Sequence, residues 1–370
     1  SGYISDIVAM WTDFRALSLP CSQGFVLPLL TSNIGKLLNI RHMIKVGFIT
    51  KSMTDDNAQR GVGFYAKRLL ERLKAQGSRL NIEILEDKYS EVDIVHYPYF
   101  DLFYHTLPLF PKTKTVVTVH DVIPLEFPNV YKQGLKAKLN LYLQGLALQT
   151  VGTVITDSFY SLKNIHKYLG VPHEKLKLVY LAADEIFKPK KVTKKYNLPK
   201  DFVLYVGDVN YNKNIPGLIQ AAKLANLPLV MVGKQAAEVE SMDLNHPELV
   251  HLSMNYELIT NYPIRLGFVP DEDLVDIYNL ASVYCQASFS EGFGLNPLEA
   301  LACGTPVASS NRGSLPEILG ENAVYFDPDD TSQIASAILK AKNSKIDFKS
   351  NLTWEKTAKE TLMIYKSLCP

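Results

Sequence analysis

Short apolar segments of strand type alternate with segments of helical period along most of this 370-residue chain. The first strand-type segment, "MIKVGFIT", begins at Met43, and "VDIVHYP", "KTVVTVHD" and "GTVITDS" follow it with helical patterns in the gaps. One such pattern, at 131–149, has Leu135, Leu139, Leu143 and Leu146 at helical spacing. Strands that alternate with helices predict an α/β fold with parallel sheets covered by helices on both faces.

The alternation stops once, at the Lys- and Pro-rich stretch "DEIFKPKKVTKKYNLPKD", and then resumes with "FVLYVGD". This pause predicts a first domain at 43–184, a linker at 185–200, a second domain at 201–350 and a terminal helix at 351–370. Open parallel sheets bind ligands beyond the carboxyl ends of their strands. We therefore expect a cleft between two α/β domains and look first at residues that directly follow strands.

Residues 1–42 differ from the rest, because their apolar residues show no sustained period and no secretory signal is present. We interpret them as a non-native leader, with Met43 as the natural start. A genuine N-terminal helix that docks on the body is the alternative.

The overall composition excludes several classes of protein. The formal charge of +1 gives no reason to expect nucleic acid as a partner. The four scattered cysteines form no metal-binding or disulfide pattern, which favours the cytoplasm. No apolar run reaches the roughly 18 residues that a membrane span needs.

The stretch "SEGFGLNPLEALACGTPVASS" places Glu291 and Glu299 on either side of a glycine-containing loop. Asn296 and Pro297 suit the start of a helix, where free backbone N–H groups favour an anion such as phosphate. Gly292 and Gly294 let the backbone approach a ligand, and the glutamates can accept hydrogen bonds from hydroxyls. Phosphate flanked by hydroxylated rings describes a nucleotide sugar. As an alternative, Glu299 caps the helix together with Asn296, and Glu291 is a solvated carboxylate.

This stretch, continued through "NRGSLPEILGENAVYFDPDD", resembles the signature of the retaining glycosyltransferases of family 4, which have the GT-B fold. The resemblance runs from about Met43 to the C-terminal helix, and "TVHDVIPLEFP" and "RGVGFYAKRLLERL" make the mannosyltransferase-like branch the most similar. It implies two Rossmann-like domains facing across a cleft, with a C-terminal helix that crosses back to the first.

The resemblance also implies roles for residues of the second domain. Glu291 would face the hydroxyls of the donor sugar, Glu299 would hold the ribose, and Lys213 would neutralise the leaving diphosphate. Without that role, Lys213 is a solvated loop lysine. The other donor-binding candidates are Gly207, Phe268, Val269, Gly292, Phe293, Gly294 and Leu295.

In the first domain, the resemblance places the loop of Gly61 and Gly63 under the diphosphate, although an ordinary tight turn also explains the glycines. His120 follows a strand and is the best catalytic candidate there, with a packed loop histidine as its alternative. Asp121 and Arg60 are weaker candidates for contacts with the acceptor.

The chain departs from the family where many members carry an arginine, because Asp208 and Asn212 stand at those places. The departure leaves open an inactive sugar-nucleotide binding subunit, and a GT-B isomerase or hydrolase of the nucleotide sugar is a further alternative. Asp271 and Asp273 have D-x-D spacing but open a predicted helix, where acidic residues are ordinary. Since Lys213 and helix N-termini can do the work of a metal ion, we expect no metal and no other cofactor.

From these observations we expect transfer of a hexose, first of all mannose from GDP-mannose, to a glycan or lipid-linked acceptor. Residues 130–200 are rich in lysine. This bias suits peripheral contact with the inner face of a membrane, and a solvated face with a charged linker explains it equally well.

Overall fold

The computed structural model describes residues 43–54, 61–194, 196–246 and 249–369. The interpretation of 1–42 and the acceptor candidate Arg60 lie outside these described residues. The described residues form one compact unit.

The first sheet has six strands, β1 (Ile44–Phe48), β2 (Ile82–Glu86), β3 (Ile94–Tyr97), β4 (Lys114–Thr118), β5 (Thr153–Thr156) and β6 (Leu176–Leu178). They pair in the order β2-β1-β3-β4-β5-β6, and each pair is parallel. The register sets Val46 opposite Ile94 and Ile94 opposite Lys114.

The second sheet also has six strands, β7 (Val203–Val206), β8 (Leu229–Val232), β9 (Ile264–Arg265), β10 (Val283–Gln286), β11 (Val307–Ser310) and β12 (Ala323–Phe326). Their order is β12-β11-β10-β7-β8-β9, again with parallel pairs. All residues of β7, β8, β10 and β11 are buried, as expected for strands that helices cover on both faces. The predicted α/β class with two parallel sheets is confirmed.

The helices of the described residues are α1 (Gly61–Gly77), α2 (Ile123–Glu126), α3 (Leu135–Thr150), α4 (Phe159–Leu169), α5 (Ile215–Leu224), α6 (Lys234–Ala237), α7 (Val250–Ser253), α8 (Tyr256–Asn261), α9 (Asp271–Leu280), α10 (Leu295–Ala302), α11 (Leu315–Leu319), α12 (Thr331–Lys342) and α13 (Trp354–Leu368). None of these helices has both the length and the apolarity needed to cross a bilayer.

The C-terminal helix α13 packs on the first domain, as the resemblance implied. Tyr365 hydrogen-bonds Nδ1 of the buried His96 at 2.6 Å, next to the first sheet's core. Lys114 Nζ, on β4, donates to the Leu368 carbonyl at 2.6 Å. Both contacts tie the end of the chain to the first sheet.

Two local predictions were wrong. Gly61 and Gly63 lie in the first turn of α1 rather than in a loop before it. Helix α10 begins at Leu295 with Gly294 as its N-cap, so Asn296 is inside the helix and its side chain donates to the Val206 carbonyl at 2.6 Å. Asn296 therefore ties α10 to the end of β7 and does not cap the helix with Glu299.

A third result concerns helix α3, whose existence the leucine spacing predicted. The structure buries Gln144, Ala147 and Leu148 and leaves Leu135 and Leu139 exposed. The core-facing side of α3 is thus opposite to the face that carries these leucines.

Candidate active site

The carboxyl ends of the two sheets meet at the loop between β10 and α10. The carbonyl of Gly292 accepts hydrogen bonds from Ser158 Oγ at 2.5 Å and Ser161 Oγ at 3.1 Å, at the start of α4. A Cβ atom at Gly292 would lie 2.9 Å from Asp121 Cβ and 3.0 Å from the His120 carbonyl oxygen. Only glycine lets the loop come this close, so the fold brings the candidates His120, Asp121 and Gly292 together.

Glu291 is buried and its carboxylate accepts hydrogen bonds from three side chains. Gln286 Nε2 and Ser288 Oγ donate to Oε1 at 2.7 and 2.6 Å. Lys213 Nζ lies 2.9 Å from Oε1 and 2.7 Å from Oε2. The network fixes the carboxylate in one orientation and gives a partly buried ammonium group a counter-charge.

Lys213 ends a 3-10 turn, Tyr211–Lys213, that follows β7. Asn212, at one of the two places where the resemblance led us to expect arginine, is buried. Its Nδ2 donates to the Ser290 carbonyl at 3.0 Å, and its Oδ1 accepts from Tyr131 of the first domain at 3.1 Å. Asn212 thus holds the lysine-bearing turn against the glutamate-bearing loop and against the first domain.

His120 is partly buried and pairs with a carboxylate that the sequence analysis overlooked. Its Nδ1 lies 2.7 Å from Asp157 Oδ2, and its ring packs edge-on against Tyr65 of α1 with centroids 4.6 Å apart. Burial lowers the pKa of His120, but the hydrogen bond and charge attraction of Asp157, with smaller effects of Asp121 and the Pro98 carbonyl, raise it above its usual value overall. Nε2 is buried and meets no hydrogen-bond partner among the described residues.

Glu299 is a buried carboxyl group in α10. Tyr278 donates a hydrogen bond to its Oε2 at 3.2 Å. Burial raises the pKa of Glu299 to about 8, against the opposing attraction of Arg68, while Asp271 adds to the increase. The group is therefore mostly protonated at neutral pH, and a protonated carboxyl group can donate as well as accept a hydrogen bond.

The stability of the protein should depend on pH through Glu299. An unfolded glutamate titrates near pH ~4.3, whereas the folded group holds its proton up to about pH 8. The folded state therefore binds the proton more tightly, and the free energy of unfolding should fall as the pH rises between these values. Glu299→Gln cannot titrate, so urea unfolding across this range should show a weaker loss of stability than in the wild type. Glu272→Gln, at an exposed position of α9, is the control, and equal pH dependence in all three proteins would contradict the assignment.

The other donor-binding candidates lie along the carboxyl edge of the second sheet or in α1. Gly207 directly follows β7. Phe268 and Val269 lie in the loop before α9, next to the end of β8, since Gly233 N donates to the Gly267 carbonyl at 2.9 Å. Phe293 turns its side chain into the core, and Leu295 packs against the same core. Gly61 and Gly63 lie in the α1 turn that precedes Tyr65, which contacts His120.

The side chains of the D-x-D pair, Asp271 and Asp273, bind different partners and do not converge on one point. Asp271 Oδ2 accepts from Arg68 of α1 at 2.8 Å, whereas Asp273 Oδ1 accepts from Lys194 and Tyr196. Within the described ranges no group of His, Cys, Asp and Glu is arranged as a metal site. The two aspartates thus hold α9 to α1 and to the segment after the first domain.

Sequence reasoning missed Asp157, Gln286 and Ser288 as members of the site. Asp157 follows β5 in "VITDS", so the rule that ligands bind beyond strand ends applied to it as much as to His120. Gln286 is the last residue of the buried strand β10, and Ser288 lies two residues further on. A buried glutamine at the carboxyl end of that strand was the available signal, because buried amides need partners.

Comparison with known proteins identifies the family in both halves of the chain. The description "Glycosyltransferase Family 4" matches residues 54–185, and "Glycosyl transferases group 1" matches residues 184–361. The O-antigen chain mannosyltransferase B of Escherichia coli is 29% identical over 278 residues, which cover 69% of this chain and 71% of that protein. The serotype-specific mannosyltransferase WbdA of Escherichia coli is 29% identical over 62% of this chain but only 29% of its own length.

Solved structures show the same architecture. Sucrose-phosphate synthase from Thermosynechococcus elongatus superposes with a TM-score of 0.60 at 19% identity, covering 88% of this chain and 94% of that one. The Anabaena protein HepE in complex with UDP-glucose gives 0.56 at 15% identity, with 88% and 98% covered. The family matches over residues 54–361 agree with the two parallel sheets and with the loop between Glu291 and Glu299. This chain is a glycosyltransferase and belongs to glycosyltransferase family 4.

Proposed function

We propose that the protein transfers a hexose, in the first place mannose from GDP-mannose, to a glycan or lipid-linked acceptor with retention of configuration. The observation that carries the proposal is the Lys213 ammonium group, held 2.7 Å from Glu291 where the carboxyl ends of both sheets meet. The named function of the O-antigen chain mannosyltransferase B supports mannose as the sugar.

The chemistry assigned to Lys213 is stabilisation of the leaving group. As the bond between the sugar C1 and the diphosphate oxygen breaks, negative charge grows on the diphosphate, and a fixed cation stabilises that charge. The acceptor oxygen bonds to C1 on the same face, and its proton passes to the departing phosphate. Because Lys213 and the backbone N–H groups at α10 can balance this charge, we propose that no divalent metal is required.

Glu291 and Glu299 divide the recognition of hydroxyls between them. When the donor binds, its diphosphate and Glu291 share the Lys213 ammonium group. The Glu291 carboxylate then accepts hydrogen bonds from hydroxyls of the donor sugar. Glu299 bonds the ribose, and its protonated state allows it to donate to one ribose oxygen and accept from the other. The backbone of Gly292, Phe293, Gly294 and Leu295 lies against the sugar and diphosphate, and Gly207, Phe268 and Val269 line the nucleotide side.

His120 acts from the first domain through its unpartnered Nε2 atom. With Asp157 on Nδ1, a protonated His120 presents an N–H at Nε2 that can donate to a sugar hydroxyl or to the diphosphate. Asp121 follows it and contacts the acceptor.

The substitution Asp157→Asn should change the pH profile of the reaction. Loss of the negative partner lowers the pKa of His120, so the protonated form is lost at a lower pH. The descending limb of kcat/KM should therefore move to lower pH than in the wild type, whereas Asp201→Asn, at an exposed position, should leave it in place. If the rate fell while the pH profile stayed in place, the role of Asp157 would be packing and not control of the protonation of His120.

A thermal-shift screen tests the proposal directly. GDP, UDP, ADP and their sugars are added to the wild type and to Glu299→Ala, with magnesium or with a chelator. UDP-glucose belongs in the screen because a solved relative was crystallised with it. A ligand that binds only the folded state raises its apparent stability by mass action. We expect a shift with guanine nucleotides that does not depend on metal and is smaller in the variant.

The other outcomes each exclude something definite. A shift confined to another base would overturn GDP-mannose, and a strict need for magnesium would overturn metal independence. Binding without transfer to any glycan acceptor would indicate an inactive binding subunit. Donor consumption at the same rate without acceptor would indicate an isomerase or hydrolase. An inverted anomer in the product, read by NMR, would overturn retention.

A further inference from the structure

Helix α3 of the first domain carries two apolar faces, and the residues that the structure describes cover only one of them. On the covered face, Gln144 Oε1 accepts from the backbone N–H groups of Thr106 and Leu107 at 2.8 and 2.7 Å, and Ala147 and Leu148 pack in the core. The opposite face carries side chains with large exposed fractions: Leu135 at 88%, Leu139 at 58%, Tyr142 at 65% and Leu146 at 45%.

These four residues form a continuous stripe, called here the α3 ridge. Their spacing of i, i+4, i+7 and i+11 returns to the same side of a helix that turns by ~100° per residue. Isolated exposed leucines are common on protein surfaces. A contiguous ridge over three turns is not, and such a surface marks contact with a partner or a membrane.

Positive charge accompanies the ridge on both sides. Lys136 and Lys138 are exposed and lie to either side of the stripe, and Lys132 precedes the helix. The sequence contains no aspartate or glutamate between Phe127 and Thr156. Beside the C-terminal end of α3, Thr150 Oγ1 donates to the Leu109 carbonyl at 3.3 Å, which places the exposed Phe110 at that end.

The geometry points to the α3 ridge as a docking face for a bilayer that contains anionic lipids. Leucine and tyrosine side chains enter the interfacial region, while lysines at both edges reach the negatively charged headgroups. A second copy of the chain fits less well, since the sequence between Phe127 and Thr156 offers no aspartate or glutamate to pair with these lysines across the contact. The surface goes beyond the proposed transfer reaction and does not depend on which sugar is moved.

The ridge also locates the acceptor side of the enzyme relative to the membrane. It belongs to the domain that carries His120 and Asp121, and helix α2, which directly follows these residues, is the helix before α3. Docking through the ridge holds this domain at the bilayer surface. A lipid-linked acceptor is then presented to the domain proposed to bind it.

Vesicle flotation of the full chain tests the inference. Vesicles of phosphatidylcholine alone are compared with vesicles that contain about one third phosphatidylglycerol. The triple variant Leu135→Ser, Leu139→Ser, Tyr142→Ser should bind the anionic vesicles at least about tenfold more weakly than the wild type. The variant Lys136→Gln, Lys138→Gln should lose most of the preference for anionic over neutral vesicles. The control Leu224→Ser, Met254→Ser removes exposed apolar side chains of the second domain and should bind as the wild type does.

Several results would overturn the inference. The wild type could fail to float with anionic vesicles, the triple variant could bind as well as the wild type, or the control could lose as much binding as the triple variant. A dimer in sedimentation velocity that becomes monomeric in the triple variant would assign the ridge to a second copy instead. Nucleotide-induced thermal shifts of the same proteins report folding and donor binding separately, so failure of the docking face and failure of the proposed reaction are distinguishable.

Discussion

Lys213→Met is expected to lower kcat by about 100- to 1000-fold, the usual loss when one preorganised group that stabilises transition-state charge is removed. The methionine keeps most of the apolar stem but provides no cation for the leaving diphosphate. Steady-state transfer assays with saturating donor measure the effect. Lys223→Met, at an exposed position of α5, is the matched control and should keep wild-type turnover. A wild-type kcat in Lys213→Met would show that Lys213 takes no part in the reaction.

The same substitution should also lower stability, and this effect has to be separated from the loss of rate. Without Lys213 the Glu291 carboxylate stays buried with only neutral donors, Gln286 and Ser288. An uncompensated buried charge destabilises a fold. The double variant Lys213→Met, Glu291→Gln removes the charge as well, so its Tm should recover toward that of the wild type. Recovery of Tm with a kcat still far below that of Glu291→Gln alone would show that the rate lost with Lys213 is not a consequence of unfolding.

The sequence predicted the two sheets because strand and helix periods are local properties. A helix start marked by local chemistry was also found, since α9 begins at Asp271 with the acidic residues of its first turn. Such features need only neighbouring residues, so a linear reading can identify them.

The predicted start of α10 was wrong, and the prediction of α3 left its core-facing side open, because two signals competed within each segment. In α10, Asn296 and Pro297 suggested a helix start, but the bond from Asn296 to Val206 keeps this residue within the helix. In α3, apolar residues occur on opposite sides, so spacing alone could not decide which side faces the core. The polar Gln144 faces inward because the backbone N–H groups of the neighbouring loop need an acceptor there.

Contacts between distant parts of the chain were beyond sequence reasoning. Glu317 of α11 accepts from the backbone N–H groups of Phe159 and Tyr160 at 2.7 and 3.1 Å, and so caps α4 of the other domain. In the sequence, Glu317 is an ordinary acidic residue of a short helix. The pairing of His120 with Asp157 has the same character, since only the parallel order of β4 and β5 brings the two strand ends side by side.

The second large effect is expected for Gly313→Ala. Gly313 has φ +67°, and a Cβ atom there would lie 2.7 Å from the backbone nitrogen of Glu291 and 3.0 Å from its carbonyl oxygen. Ser314 fixes the same segment, because its Oγ donates to the Glu291 carbonyl at 2.9 Å. The new methyl group must therefore displace the backbone of Glu291, and a displacement of about 1 Å at a reacting centre can cost about 100-fold in rate. We expect a kcat loss of that order.

Gly170→Ala separates this displacement from the cost of the backbone conformation. Gly170 has φ +65°, but its Cβ would meet only the Gln149 side chain at 4.0 Å, far from the site in sequence and at the end of α4. Both variants should lose about 1–2 kcal/mol of stability from the left-handed conformation, measured by urea unfolding. Only Gly313→Ala should lose more stability than this, and only Gly313→Ala should also lose activity. If the two variants matched in both measurements, the position of the Glu291 backbone would not matter for the reaction, and the role proposed for this carboxylate would fall with it.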